Sequence, residues 1–424
     1  MRTGPLAQLE LVKRSPGFRL LFVAALGSGI GTYLAFVALA VDVWDRTHSG
    51  TWVAWLLIAD FLPAIAIGLL LGALVDRWSR RQLMIAADVV RFGVFAALPF
   101  TTTAWQIVVL AGVAGFATGF FRPAVYAGLP NLVADEDLPH ANSLLQGVEN
   151  LAVTLGPLAG GLLVAGAGTD VAYWFNAATF LLSAVLLLGI PKRLLQGTPA
   201  PSEGRLRDLA AGFRLVRRSR ALATVLVAWG GAMFAVAGVN VAEVALAKDA
   251  FDAGDFGYGL MLATTGFGLV VGSLYAASAI ERRGVGAVYG ASLGLLAFGY
   301  ACAAVAPDVW IASLALILSG GGNGAALVCN ALLVQRGVPD ALRGRAFTLL
   351  MSANFAVLGV GMLLAGPATD AVGPRWVWGV AAAVMAVAAL VGWSLARGVS
   401  DRAPEVAAEP APHEAEIEAA GRPV

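Results

Sequence analysis

The chain has 424 residues, of which 59% are hydrophobic and only 13% are charged, and its formal net charge is +1. Its mean hydropathy is +0.78. Soluble domains carry about 45–50% apolar and about 25% charged residues, so this composition excludes an ordinary soluble protein and indicates a chain that packs in lipid. The near-zero net charge argues against a nucleic-acid partner.

In chain order, the apolar segments predict an all-α, polytopic membrane protein with twelve transmembrane helices. Each segment approaches the ~20 apolar residues that a membrane helix needs, and no ~10-residue alternation typical of a closed β-barrel is present. The predicted spans are 18–43, 51–75, 83–100, 105–128, 140–166, 170–190, 221–246, 257–280, 285–306, 309–333, 345–370 and 374–397.

The distribution of Lys and Arg predicts the orientation of these spans. Positive residues are retained on the cytoplasmic side of a membrane. The loops and tails of one side hold most of them, whereas the other side holds only Arg46, Lys248 and Arg375. We therefore expect a multi-pass protein of the cell (inner or plasma) membrane with both termini in the cytoplasm.

The chain divides into two similar halves. An N-terminal six-helix bundle is predicted over 1–190 and a C-terminal one over 221–398, joined by a cytoplasmic linker at 191–220 and followed by a disordered cytoplasmic tail at 399–424. The second part of the linker reads as a basic amphipathic helix on the inner leaflet, or alternatively as a regulatory docking site.

Segments repeat weakly between the halves, about 205 residues apart. Residues 115–142 resemble 320–347, and "GALVDRWSRR" is similar to part of 272–284. A six-plus-six duplication is a transporter architecture in which binding sites lie between the repeats.

The stretch "GALVDRWSRRQLM", residues 72–84, concentrates charge between spans two and three. It resembles the signature of the major facilitator superfamily, although it has Ser79 where glycine is usual and Val75 where a small residue is usual. The matching positions that we assign to a cytoplasmic gate are Gly72, Asp76, Arg77, Arg80 and Arg81.

The resemblance implies that this loop is a latch that holds the two bundles closed on the cytoplasmic face. Asp76 lies at a helix C-terminus, where the helix dipole disfavours an anion, so it needs a positive partner. Asp88 and Arg91, three residues apart and able to pair, are assigned to the same gate together with Arg122. The alternative is that the arginines only set the topology and Asp76 offsets their charge.

Further motifs indicate which part of this superfamily the sequence resembles. "GPLAGG", with Gly156, Pro157, Gly160 and Gly161, is similar to the antiporter element of this superfamily. "FFRPA", "LPNLV" and "VPDALRGRAF" are similar to the subgroup that holds macrolide-efflux and enterobactin-exporter proteins. The resemblance implies proton-driven export by a fold that usually functions as a monomer.

Two carboxylates lie near the predicted membrane midplane. Asp60 and Glu149 are each nine residues past the start of their spans, or ~14 Å at about 1.5 Å per residue. Ionisable groups at such depth are functional candidates by default, and we predict that both carry protons. The alternative is that each only ties two helices together by hydrogen bonds. Asp42 and Glu243 approach the outer surface, where we expect solvated end residues; the alternative is that they form part of an outer gate.

A carrier of amphipathic molecules needs a largely apolar cavity with few polar anchors. The candidate lining residues are Phe36, Trp55, Trp229, Met233, Phe234 and Asn240, although aromatic residues in spans more often face lipid or pack.

These features predict a secondary active transporter that exports a small amphipathic molecule, of drug, macrolide or siderophore type, by proton antiport and alternating access. Uptake by the same fold and a non-transporting receptor are the alternatives. An enzyme is not expected, because the sequence has no nucleophile–base set, P-loop or metal cluster. No cofactor is expected beyond the proton gradient, and no partner beyond the substrate and the bilayer.

Overall fold

A computed structural model describes residues 5–70, 79–195, 219–338 and 340–397 and shows helices and no strands within them. The helices are α1 Pro5–Arg14, α2 Pro16–Thr47, α3 Gly50–Leu70, α4 Arg80–Ala97, α5 Ala104–Gly128, α6 Leu138–Ala167, α7 Thr169–Leu188, α8 Arg220–Ala250, α9 Gly254–Arg283, α10 Val285–Val305, α11 Val309–Gly337, α12 Asp340–Val372 and α13 Pro374–Ala396.

The twelve predicted spans correspond to α2–α13. Within the described residues, eleven helices are long and apolar enough to cross a membrane, and α3 contributes the shorter apolar stretch Gly50–Ala64. The predicted all-α membrane fold is therefore confirmed. Sequence analysis missed α1, a ten-residue helix before the first span that carries Lys13 and Arg14 in its last turn.

The helices pack as two halves with the same internal arrangement. In the first half α2 packs on α6 and α7, α3 packs on α5, and α4 packs on α5 and α7. In the second half α8 packs on α12 and α13, α9 packs on α11, and α10 packs on α11 and α13. Each pair of the first half recurs six helices later. The halves meet chiefly where α3 contacts α12 and where α6 contacts α9.

The two ends of the bundle differ in charge. One end, here called the basic face, holds the start of α2 and the end of α13 together with Arg14, Arg80, Arg81, Arg282 and Arg283. The other end, here called the acidic face, holds the loops that follow α2, α4, α6, α8, α10 and α12, and its charged residues are mostly aspartates.

The three basic residues of the acidic face are each bound to acceptors. Arg46 pairs with Asp42, Lys248 pairs with two aspartates, and Arg375 donates to the carbonyl oxygens of Ala304 and Ala306 at 3.0 and 2.7 Å. The Arg375 contacts satisfy carbonyls that the end of α10 leaves without helical partners.

Several predicted features lie outside the described residues. Gly72, Asp76 and Arg77 of the signature stretch do so, as do most of the predicted linker 191–220 and the tail 399–424.

Candidate functional site

Small residues on α6 and α9 bring the two halves together. A Cβ atom on Gly161 would lie 2.9 Å from the carbonyl oxygen of Asp255 and 2.9 Å from the Cα of Gly259. A Cβ atom on Gly259 would lie 2.5 Å from the carbonyl oxygen of Pro157. The helices therefore touch backbone to backbone at the predicted antiporter element, and a larger side chain at either glycine would separate them.

The same element also holds α6 against its own half. Cβ atoms on Gly156 and Gly160 would lie 2.6 Å from the Cβ of Tyr33 and 2.6 Å from the carbonyl oxygen of Leu34, respectively. The "GPLAGG" segment is thus packed between α2 and α9, with Pro157 inside the helix.

At the acidic face, Asp370 of α12 binds the first turn of α3. Its carboxylate accepts hydrogen bonds from the Gly50 and Thr51 backbone N–H groups at 2.5 and 3.2 Å, and from the Thr51 and Ser49 hydroxyls at 2.6 and 2.9 Å. An anion is favoured at a helix N-terminus because the N–H groups there lack helical acceptors. Asp370 therefore stabilises the contact between the halves at this face.

A second set of polar contacts joins the halves beside it. The Lys248 ammonium of α8 lies 2.6 Å from Asp45 of α2 and 2.5 Å from Asp255 of α9. The Trp44 indole N–H donates to Asp249 at 3.2 Å. Together with Asp370, these contacts close the acidic face.

A polar cluster lies deeper, in the first half. The Arg122 guanidinium of α5 donates to both carboxylate oxygens of Glu149 of α6 at 2.9 Å, and the Tyr126 hydroxyl donates to the same carboxylate at 3.1 Å. The side chains of Arg122 and Glu149 are 60% and 32% exposed. This pair is open to solvent rather than buried between helices.

Asp60 and Tyr33 complete the cluster. The Tyr33 hydroxyl of α2 lies within electrostatic range of Asp60 of α3, and also of Arg122 and Glu149. The four side chains therefore share one site. Within the described part of the chain, the Asp60 carboxylate makes no hydrogen bond or ion pair. Two carboxylates and one guanidinium leave one negative charge uncompensated in the ionised cluster.

The cluster faces the gap between the halves. Glu149 lies one helical turn before Val153, and a Cβ atom on Gly266 of α9 would lie 2.9 Å from the Val153 carbonyl oxygen. Residues four apart share a helix face, so Glu149 points towards the second half just where the contact with α9 ends. The contacts of α6 with α9 at Gly161 and Gly259 lie between this site and the acidic face.

Asp88 and Arg91 form the expected pair, but at a separate place. Their side chains are 0% and 5% exposed and lie 2.6 Å apart, and the Ser183 hydroxyl of α7 donates to Asp88 at 2.6 Å. The guanidinium stacks between the rings of Phe121 and Phe180, 4.3 Å from each. These partners belong to α5 and α7 of the same half, and Arg122 pairs with Glu149 instead.

Arg80 and Arg81 bind helix C-termini of the first half. Arg80 donates to the Ala127 carbonyl at 2.6 Å, and Arg81 donates to the Leu187 carbonyl at 3.0 Å and also to the Leu188 carbonyl. Arginines favour such positions because the last carbonyls of a helix lack donors. Both contacts anchor the start of α4 to α5 and α7.

The candidate cavity residues occupy different surroundings. Trp55 is 48% exposed, whereas Trp229 is 4% exposed in the core. Phe234 lines a cavity of about 210 Å³ between α8, α12 and α13, beside exposed apolar side chains such as Trp376. The remaining candidates, Phe36, Met233 and Asn240, are partly buried.

Two expectations near the acidic face are wrong. Asp42 and Glu243 were expected to be solvated end residues, but they are 7% and 4% exposed. Asp42 accepts two hydrogen bonds from Arg46, at 2.6 and 3.0 Å, and one from the Tyr173 hydroxyl at 2.9 Å. The helices continue past both acids and cover them, since α2 ends at Thr47 and α8 at Ala250.

Sequence analysis missed three groups at these sites. Tyr33 and Tyr126 carry no charge and give no signal within an apolar span. Asp370 could have been found, because it interrupts an otherwise apolar helix end, and the equivalent position of the first half, 205 residues earlier, is Ala165. Only the structure shows that Asp370 binds α3.

Two related six-helix halves, closed at one face and exposing a charged cluster between them, define a membrane transporter of the major facilitator fold. The chain belongs to the transmembrane secretion effector family, whose profile matches residues 5–420. The predicted resemblance to the major facilitator superfamily is thereby confirmed, and the protein is a transporter and not an enzyme.

Relatives cover most of the chain. It is similar to the enterobactin exporter EntS of Escherichia coli O1:K1 / APEC, with 28% identity over 373 residues, which is 85% of this chain and 87% of EntS. It is also similar to the uncharacterized MFS-type transporter YfiS of Bacillus subtilis (strain 168), with 26% identity over 374 residues, covering 86% and 89% of the two chains.

Solved structures share the fold. The nucleoside transporter NupG superposes with a TM-score of 0.71 at 15% identity, over 90% of this chain and 99% of that one. A bacterial homologue of the iron transporter ferroportin in an inward-facing state superposes with a TM-score of 0.69 at 17% identity, over 92% and 99%. At these identities the likeness concerns the fold alone.

Proposed function

We propose that the protein exports a small amphipathic molecule, of drug, macrolide or siderophore type, in exchange for protons by alternating access. The observation that carries this proposal is the cluster of Asp60, Glu149 and Arg122, which is exposed between the halves beneath a closed acidic face. The family's description as secretion effectors and the name of EntS support outward transport of a siderophore-like cargo.

The uncompensated charge of the cluster explains how exchange works. An ionised carboxylate without a positive partner is stabilised by a proton or by a hydrogen-bond donor. A substrate whose hydroxyl or ammonium group donates to Asp60 or Glu149 therefore competes with a proton for the same oxygens. Mutual exclusion of substrate and proton is the thermodynamic requirement for antiport, because coupling between two ligands is reciprocal.

Proton-coupled uptake would need the opposite coupling. If a substrate anion bound Arg122, a proton on Glu149 would release the guanidinium and strengthen substrate binding. The pH dependence of binding thus separates the two directions: affinity falls with falling pH for exchange and rises for symport.

In the proposed cycle, the basic face closes when the acidic face opens. We propose that the signature residues Gly72, Asp76, Arg77, Arg80 and Arg81 then latch the halves, with α4 held in place by Asp88 and Arg91. The substrate passes among Phe36, Met233 and Asn240 on α2 and α8.

We also propose a location in the plasma membrane, as a monomer, with the basic face and both termini in the cytoplasm. The excess of Lys and Arg at the basic face supports this orientation.

Accumulation of enterobactin and of the macrolide erythromycin in everted membrane vesicles with an acidic interior tests the proposal. We expect uptake driven by the pH gradient, and a fall of about tenfold for Glu149→Gln and for Asp60→Asn, a size usual for coupling between two ligands. Glu136→Gln, at an exposed acid before α6, is the matched control and should transport normally.

Unchanged accumulation in both cluster variants would show that these acids do not couple protons. Transport confined to right-side-out vesicles would favour uptake. Cleavage of a C-terminal tag by added protease in everted vesicles alone checks the orientation in the same preparation.

A further inference from the structure

A second buried acid lies in the other half of the protein. Glu243 is on α8, seven residues before the helix ends at Ala250, or ~10 Å from that end. Its side chain is 4% exposed. Within the described residues its carboxylate makes no hydrogen bond or ion pair, unlike Asp42, the buried acid near the same face on α2.

The groups that face Glu243 are neutral. Tyr258 of α9 and Tyr300 of α10 lie within its electrostatic range, and both are nearly fully buried. Among the described residues, α12 and α13, which pack on α8, bring no Lys, Arg, His or second carboxylate against it. Lys248, just over one turn further along α8, is already bound to Asp45 and Asp255.

An isolated carboxylate at such a place is far costlier than the neutral acid, because desolvation penalises only the charged form. Glu243 is therefore protonated in this closed arrangement. Asp42, in contrast, accepts hydrogen bonds from Arg46 and from the Tyr173 hydroxyl.

Glu243 lies close to the contacts that close the acidic face. The π-helical turn Leu246–Ala250 connects Glu243 to the Lys248 contacts that join the halves. Such turns depart from α-helical bonding and are frequent at functional sites. When Lys248 separates from Asp45 and Asp370 from α3, the end of α8 becomes accessible to water.

We propose that Glu243 is a second proton-binding site, in the half opposite the Asp60–Glu149–Arg122 cluster, which exchanges its proton at the acidic face when that face opens. Its place in a transport cycle rests on the proposed proton antiport, but proton binding itself does not. The carboxylate takes up one proton from water while the acidic face is open, and the neutral acid holds that proton when the face closes.

Infrared difference spectroscopy of the full-length protein in lipid, from acidic to alkaline pH, tests proton binding without any substrate. We expect a carboxylic-acid C=O band that disappears on deprotonation in the wild type and is missing in Glu243→Gln. The band should remain in Asp60→Asn and Glu149→Gln, and also in Asp42→Asn, the matched control at a compensated acid. A wild-type band that persists in full in Glu243→Gln would overturn the proposal.

Glutamine has the shape of the neutral acid, so Glu243→Gln is expected to fold. Should it fail to, Tyr258→Phe provides the second test: a changed neighbour of the carboxyl should shift the band's midpoint pH, and an unshifted midpoint would count against the site.

Transport measurements separate proton binding at Glu243 from the proposed proton antiport. Glu243→Gln should lose pH-gradient-driven accumulation of enterobactin while retaining exchange of labelled for unlabelled enterobactin without a gradient. If the wild type shows no gradient-driven transport, proton antiport fails, while the infrared band still decides whether Glu243 binds a proton.

Discussion

Two arginine–carboxylate pairs in the first half have opposite surroundings. Asp88–Arg91 is almost completely buried between two phenylalanine rings, whereas Arg122–Glu149 is exposed. Breaking a buried pair leaves an uncompensated charge and costs about 3–5 kcal/mol. Exposed pairs are worth only about 0.2–1 kcal/mol.

We therefore expect Asp88→Ala to lower the free energy of unfolding by about 3–5 kcal/mol because Arg91 loses its partner. The midpoint of thermal unfolding of the purified protein measures this loss. Glu149→Ala should leave that midpoint nearly unchanged and lower gradient-driven transport about tenfold instead.

A double variant, Asp88→Leu with Arg91→Met, removes both charges and should recover much of the lost stability. A normal midpoint in Asp88→Ala would contradict the structural role of this pair.

At this scale the sequence predicts which residues carry charge and how deep they lie, but not which way they point. Asp60 and Glu149 are found by their depth in the spans. Arg122 is assigned to the gate on the same criterion, yet its partner is Glu149, because depth along a helix says nothing about its rotation relative to neighbouring helices. The structure adds that rotation.

The two halves of the chain resemble each other in the geometry of their turns as well as in the packing of their helices. Gly168 and Gly373, 205 residues apart, connect the last two helices of each half with nearly the same dihedral angles, φ 86° and 84°. Gly284, at φ 78°, corresponds to Ser79 at φ −61°. The departure from the family signature at Ser79 thus coincides with a different turn, since a serine rarely adopts positive φ.

The spans themselves are predictable because lipid requires continuous apolar helices of fixed minimal length. The contacts between halves are not, because they depend on glycine positions that recur throughout this chain. Only the structure distinguishes Gly161, which touches α9, from Gly166, which has no atom within 4 Å of its Cβ position.

That difference gives a matched pair of substitutions on one helix. Gly161→Val places methyl groups where a Cβ alone would already lie 2.9 Å from the Asp255 carbonyl oxygen. We expect it to push α6 from α9, weaken the closed acidic face and reduce transport, while Gly166→Val has little effect.

The rate at which a membrane-impermeant thiol reagent labels a single cysteine at Thr51→Cys reports whether the face is closed. Labelling should be faster with Gly161→Val than with Gly166→Val. Equal rates in the two backgrounds would mean that this glycine contact does not hold the face closed.

For the whole molecule, alternating access requires the contacts of the acidic face to break in every cycle. The pairs α3–α12 and α6–α9 are related by the same duplication that relates the halves. In the proposed cycle the halves would rock about these two equivalent contacts, and holding either contact closed should stop the cycle.

A reversible cross-link between α3 and α12 tests this requirement. The Thr51 hydroxyl lies 2.6 Å from the Asp370 carboxylate, so cysteines at these two positions would place their sulfur atoms side by side, as a disulfide requires. In a background with Cys302 and Cys329 replaced by alanine, Thr51→Cys with Asp370→Cys should cross-link under oxidising conditions and stop transport. Reduction should restore transport, and oxidation should not change the transport of either single cysteine variant. Full transport by the cross-linked protein would show that this face need not open, and the substrate would then have to leave by another route.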